Sequence, residues 1–437
     1  MVASNAYKRI ELSIIAAAAL IVLLGPHSRS GSDPAMSRLA TVYSLANDGT
    51  FNLDRPLAEE PIEFEQRTID KVMVRGRNVG GGVAEGHIIS SKPPVLSLMM
   101  TGEYVLMNKF LGWDLENPDD MNRSLLWFSI TLVGGAYVLG LICFARLLSF
   151  YVPTNPFVRV LLLGCLAFAT EFWGFSTMLN NHMPAAGAMI AALYYALGML
   201  KGYLPPAPWR FFAFGFLAGL THTLDIPATI FVACAGIPLL IKWPKQAALW
   251  AGLGILPPLA VHIGVLWVVT GSPLPVQMRE ATYLFEYSYW RTPIQIDALN
   301  EPKGTYLFHM LVGRNGVFAL FPILLAGVAG ALRALVQKET PHRGSILVGA
   351  GAILCLCAYY FTKNNYGGES YGFRWLIIAM PVLLLMGAPI LTNLRAHWRW
   401  VFVALMIGIS FFSAWESTTV GWRANQEWTS RFLGPSY

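Results

Sequence analysis

The sequence predicts an all-α polytopic membrane protein: one domain with about eleven transmembrane helices and interfacial helices in its first extracytoplasmic loop. Three observations predict this class. Mean hydropathy is +0.50, and only 13% of the 437 residues are charged while 55% are hydrophobic. Soluble domains carry roughly 25% charged residues. Apolar runs approaching the roughly 20 residues that cross a hydrocarbon core of about 30 Å recur through most of the chain. Lysines and arginines stand singly at the ends of those runs, the positive-inside pattern, so the net charge of +6 points to membrane topology and to no nucleic-acid partner. The five cysteines (Cys143, Cys165, Cys234, Cys355, Cys357) all lie inside apolar stretches. They are expected to pack rather than to pair or to bind zinc.

The runs lie near residues 10–25, 124–148, 157–173, 183–200, 211–223, 225–241, 247–270, 317–335, 345–362, 375–392 and 400–416. The first follows Lys8 and Arg9; a cleaved signal peptide is the alternative, but no small-residue cleavage site is clear, so an uncleaved helix is expected. With Lys8 and Arg9 in the cytoplasm, alternation puts Arg146, Lys201 to Arg210, Lys242 with Lys245, Arg333 to Arg343, and Arg395 with Arg399 on the same side. Each of those connections is net positive. The other side receives residues 26–123, the turn at Asn180 to His182, residues 271–316, residues 363–374 and the C-terminal tail.

Within 26–123, the run Pro93 to Trp113 contains Glu103 and Lys109, and reading it as a span would invert every later loop. It is expected to lie in the interface with Val95, Leu98, Met99 and Leu106 toward lipid. Ala35 to Leu45 has the same character: Met36, Leu39, Ala40 and Tyr43 follow helical spacing, and Asn47, Asp48 and Gly49 end the pattern. No internal repeat is evident. Gly80, Gly81 and Gly82 lack the strand, helix and Lys-Ser/Thr context of a phosphate loop.

Several polar constellations border the spans. Asp33 precedes Pro34 and a helical pattern, which suits a helix N-cap and equally a fixed general base. Ser90-Ser91-Lys92-Pro93-Pro94 sets a cation before two prolines; Lys92 suits a phosphate, or merely snorkels at the lipid surface. The loop from Lys363 to Arg374 is tight and polar, with Tyr366 and Glu369 inside it and Arg374 at a helix mouth, placed to clamp a phosphate or to mark the membrane edge. Asn180, Asn181 and His182 sit at a span boundary, His222 and Asp225 lie between two short runs, and His309, Arg314 and Asn315 precede another. Ionisable groups near membrane depth are functional candidates because their burial is costly. Neither histidine group has metal-ligand spacing.

In their order along the chain these residues resemble the type C membrane glycosyltransferases, the superfamily of protein O-mannosyltransferases and of the bacterial aminoarabinose transferases that modify lipid A. Asp33 looks like the family's acidic residue after the first span, Arg38 like its interfacial-helix arginine, and Lys92-Pro93-Pro94 like its Lys-Pro-Pro element. Ser37 through Leu45, Asp48 through Phe51, Thr68 through Val72, Gly313 through Gly316 and Asn365 through Trp375 are similar to bacterial members. The departures are Pro34, where the aminoarabinose type has a second acidic residue, and Ser91, where it has a Glu. In addition, 21 residues (417–437) follow the last run, in place of a large soluble domain.

The resemblance implies a polyprenyl-phosphate-linked sugar as donor and transfer to a glycan, lipid or protein acceptor of the cell envelope. It also implies a bacterial inner membrane with a periplasmic or extracellular active face, among membrane lipids. Asp33 is expected as the base, Lys92 and Arg374 as the phosphate clamp with Arg38 beside them, and Asp70, His182, His309, Tyr366 and Glu369 as further substrate contacts. No cofactor and no metal is expected; a divalent ion held by Asp33 with another carboxylate is the alternative. The competing functions are a non-catalytic accessory subunit of the same fold and a transporter of lipid-linked substrates. A transporter calls for polar residues at mid-membrane in related halves, whereas here they lie mostly in loops.

Overall fold

The computed structural model describes residues 2–25, 27, 32–54, 68–75, 86–286, 288–422 and 428–433. Gly80, Gly81 and Gly82 lie outside them. Every apolar run is helical. They form α1 (Val2–Leu24), α4 (Pro118–Tyr151), α5 (Pro156–Phe168) with α6 (Glu171–Thr177), α7 (His182–Leu200), α8 (Pro208–Leu224), α9 (Ile226–Lys242) and α10 (Pro244–Thr270). The remainder are α12 (Val317–Leu320) leading into α13 (Pro322–Val336), then α14 (Arg343–Phe361), α15 (Arg374–Thr392) and α16 (His397–Val420), with α11 (Lys303–Leu311) between α10 and α12. Among the described residues six of these helices are long and apolar enough to cross a membrane: α4, α7, α10, α14, α15 and α16. The pair α5 and α6, bent by 44°, makes a seventh if counted as one span. The expected count was higher because α1, which carries Lys8, Arg9 and Glu11, is not among them, and because the two runs between Phe211 and Ile241, and the run of α13, fold as helices of 17 residues or fewer.

The helices pack through small residues. A Cβ on Gly215 of α8 would stand 2.0 Å from the Ala251 carbonyl oxygen of α10, and one on Gly330 of α13 would stand 1.9 Å from the Met386 oxygen of α15. Without a hydrophobic drive between helices in lipid, such close backbone approach supplies the packing.

The loops sort into two ends. At one end His27 bonds the Thr177 carbonyl, the Trp290 indole donates to Ile69 O, Lys303 bonds Asn364, and Thr429 donates to Arg314 O. At the other end Arg159 meets Glu11 at 2.6 Å, Lys242 donates to Leu200 O, the His342 ring bonds Tyr151 O, and Arg333 donates to Pro389 O. The partition matches the alternation read from the charges.

The first loop holds α2 (Asp33–Asp48), strands β1 (Lys71–Arg75) and β2 (Gly86–Ser90) in an antiparallel ribbon, and α3 (Pro94–Leu111). The ribbon is an addition to the all-helical expectation. Two interfacial expectations change. Every residue of α2 from Ala35 to Ser44 is buried, so this helix is covered by protein instead of lying on lipid. In α3, Met99 and Leu106 are exposed, but Val95 turns inward, because α3 packs on both α2 and α10. Gly49 (φ 66°) and Gly112 (φ 69°) end the two helices in the left-handed conformation that glycine adopts without strain. The helix α3 is not among the helices long and apolar enough to cross a membrane.

A cysteine placed at exposed Glu280 is expected to react with an impermeant thiol reagent in intact spheroplasts, and one at exposed Lys338 is not. Equal labelling of both positions would refute the two-ended arrangement.

Candidate active site

The site begins at the open end of the ribbon. Lys71 pairs with Ser90, and the ladder extends by one bond from Ser91 N to Asp70 O at 3.0 Å. That register brings Asp70 and Lys92 together, and their side chains meet at 2.7 Å. Pro93 and Pro94 then fix the chain as it enters α3. The ribbon end is fastened to α2 by Ser37, whose hydroxyl donates to Asp70 O at 2.6 Å and lies 2.6 Å from the Ser90 hydroxyl.

Asp33 stands at the start of α2 but does not cap it. Ser32 occupies the cap position without a side-chain bond, and the N–H groups of Ala35 and Met36 reach the Ser32 carbonyl. The Asp33 carboxylate instead accepts the Ile69 N–H at 2.8 Å, while Thr68 donates to the Asp33 carbonyl. Burial pushes the Asp33 carboxyl above its usual range; the Ile69 bond and Lys92 oppose the shift, and Asp70 and Glu369 add to it.

Arg38 follows one turn later, fully buried, and donates to Pro34 O at 3.0 Å and to Asn181 Oδ1 at 2.9 Å. Both acceptors are neutral. Burial lowers its guanidinium to about 10, with Asp70 holding it up and Arg374 pushing it down. Lys92 is likewise lowered by burial, raised by Asp70 and lowered by Arg38 and Arg374. Arg374, at the mouth of α15, lies over the Trp422 ring at 4.8 Å. The Nε atoms of Arg38 and Arg374 are buried without a hydrogen-bond partner. Three mutually repelling cations therefore share one region in which, among the described residues, the direct ion pair is that of Lys92 with Asp70, an arrangement suited to an anion.

The loop before Arg374 turns on Gly367, Gly368 and Gly372, at φ 98°, 74° and 57°. This geometry keeps Ser370 buried and Glu369 exposed. His182 faces Asp225 at 2.7 Å, and through Asn181 the same corner reaches Arg38. Tyr366 and His309 form a different cluster. Tyr366 is fully buried, stacks on Tyr306 at 4.8 Å and donates to Glu301, and Arg314 lies over its ring. His309 accepts from the Arg314 N–H at 3.3 Å. The structure thus gathers Asp33, Arg38, Asp70, Lys92 and Arg374, sets Glu369 and His182 at the margins, and separates Tyr366 and His309.

Sequence reasoning missed Asp297 and Glu171, both of which act electrostatically on Arg374. Asp297 is raised by burial and accepts from Tyr289 at 3.2 Å, and it looks like any acid of a polar stretch. Glu171 had a signal: a carboxylate inside an apolar run, buried in the structure. Among the described residues no three His, Cys, Asp or Glu side chains gather as a metal-holding group.

No family model matches the sequence, and no curated protein does. The fold does have a solved counterpart. The crystal structure of the oligosaccharyltransferase of Archaeoglobus fulgidus in its apo form matches with a TM-score of 0.55 at 13% identity, over 95% of this chain and 57% of that one. The chain shares the fold of that oligosaccharyltransferase over 95% of its own length. It spans 57% of the length of that neighbour. Within this scaffold the Asp70–Lys92 pair fastens the first loop as well as setting its charge.

Removing one partner leaves the other charge stranded, which costs about 3–5 kcal/mol when fully buried and less here because Lys92 keeps 22% of its side chain exposed. Asp70→Ala is expected to lower the unfolding temperature by an amount corresponding to about 2 kcal/mol, and Lys92→Met added to it to recover part of that loss. Thermal unfolding in detergent measures both; full additivity would deny the coupling.

Proposed function

We propose that this protein is a membrane glycosyltransferase that moves a sugar from a polyprenyl-phosphate-linked donor to a cell-envelope glycan, lipid or protein on the extracytoplasmic face. The observation that carries the reading is the convergence of Arg38, Lys92 and Arg374 beside Asp33, a half-buried carboxylate raised by burial. The type C fold supports it.

In the proposed step the acceptor hydroxyl oxygen attacks the anomeric carbon and the bond from that carbon to the phosphate oxygen breaks. The polyprenyl phosphate leaves with the bonding electrons, and Asp33 takes the hydroxyl proton. A phosphate leaving group needs charge stabilisation more than a proton, which the three cations supply. Arg374 offers a planar fork for two phosphate oxygens, and Lys92 a point charge. The membrane scaffold suits a donor whose hydrocarbon tail stays in lipid. Asp70 is bonded to Lys92 and reaches Arg374 only electrostatically, so Arg374 keeps its fork for the leaving phosphate.

Two outcomes test the reading. Asp33→Asn keeps an oxygen for the Ile69 N–H and therefore the fold, but removes the base. Turnover from a synthetic lipid-phosphate sugar is expected to fall at least about 100-fold with donor binding little changed. Because Asp33 is raised, the acid limb of the parent's pH–rate profile should lie above the ordinary aspartate range and vanish in the variant. Near-parental turnover would remove Asp33 as base.

Lys92→Ala is expected to weaken binding of polyprenyl phosphate by about tenfold to a hundredfold, the loss of one charge-assisted bond. Unchanged affinity in a thermal-shift titration would make Lys92 a strut for Asp70 and no more.

A further inference from the structure

Below the site, a narrow cleft runs between α3 and α10, lined by Lys92, Ser97 and Thr41 on one side and by His262, Leu266 and Val269 on the other. Beside it lies a cavity of about 500 Å³ walled by Gly264, Val265 and Val268 of α10 and by Asn52 and His87 of the first loop. Val268, in the wall of this cavity, is 83% exposed on the apolar exterior, so the cavity adjoins the lipid.

His262 is the unexplained member. It is only 3% exposed, and among the described residues neither ring nitrogen has a hydrogen-bond partner. Its nearest polar ring, His222, meets it edge-on at 6.1 Å and spends its own Nδ1 on Thr229. A neutral imidazole carries one donor and one acceptor, and leaving them unpaired in an apolar setting is costly. The occupant that relieves this must bring a polar atom to the depth of His262.

That depth can be reckoned. His262 lies eight residues before the end of the 27-residue helix α10, about 12 Å along its axis at 1.5 Å per residue. A helix of that length is about 40 Å long, enough to reach into the headgroup layers on both sides. The headgroup layers are about 5–7 Å thick, so His262 stands about 5–7 Å beneath the level where the chains of a membrane lipid join its head. A polyprenyl chain has no hydrogen-bonding atom there. An acyl lipid carries its ester or amide carbonyls a glycerol's length from the phosphate, and because Lys92 and His262 line the same cleft, a phosphate drawn to Lys92 brings those carbonyls toward His262.

We propose that the α3–α10 cleft binds an acyl phospholipid, its phosphate beside Lys92 and its ester or amide carbonyl accepting a hydrogen bond from His262. This goes beyond the transferase reading, and since Lys92 also belongs to the proposed donor site the two lipids would meet the same cation.

The test uses the full-length protein in detergent and two probes, phosphatidic acid with ester-linked chains and its di-ether analogue, which differ only in their carbonyls. Native mass spectrometry reads the relative affinities. The parent is expected to bind the ester form about three- to tenfold more tightly, the worth of one net hydrogen bond. His262→Leu should erase the preference, and His262→Gln, which retains a donor, should keep it. Polyprenyl phosphate binding should be unaffected by either change, which separates a failure here from a failure of the donor site. Equal binding of the two lipids by the parent, or a preference that survives His262→Leu, would overturn the proposal and leave His262 to a buried water.

Discussion

The ion pair of Asp70 and Lys92 joins segments that are distant in the chain. It closes the end of the two-stranded ribbon, and Ser37 fastens that end to α2. The loop after α10 is pinned to the same place by the Trp290 indole on Ile69 O and the Gln277 amide on Ser91 O. Asp70 is also the largest favourable influence on both Arg38 and Arg374. Arg38, Lys92 and Arg374 can share one region because Asp70, with Glu171 and Asp297 acting on Arg374, offsets part of their repulsion and desolvation.

The scaffold confines this polarity to one end. Helix interfaces closed by glycine, such as Gly215 on Ala251 and Gly330 on Met386, allow the bundle to pack tightly without polar contacts in its middle. The buried charged groups that remain near the site, Glu171, Asp225 and His182, stand at helix breaks and ends, where the chain leaves regular structure. His262 departs from this rule, lying two turns inside a span, and for that reason it carries information about what occupies the cleft.

Asp33 shows how a structural role and a proposed chemical role share one side chain. One carboxylate oxygen accepts the Ile69 N–H and so fixes the position of the group. The bond favours the ionised form, yet burial and the neighbouring acids outweigh it and raise the proton affinity. A base that is held in place and kept from being too weak meets the two requirements of proton abstraction, geometry and a suitable pKa.

Residue order alone determined the class and most of the candidate residues. Hydropathy located every apolar run of the bundle though not α11, the isolated lysines and arginines divided the loops into two sets, and the Lys-Pro-Pro element and Arg374 stood out as cations beside helix starts. These signals are local, because crossing lipid constrains each segment by its own length and polarity. What the tertiary structure decided is non-local. It buried α2, turned Val95 inward, added the ribbon, joined His182 to Asp225, drew Asp297 and Glu171 toward Arg374, and parted Tyr366 and His309 from the rest. Each of those outcomes depends on which loops meet across the end of the bundle, and a carboxylate's partner 100 or 200 residues away leaves no mark on its own neighbourhood in the chain.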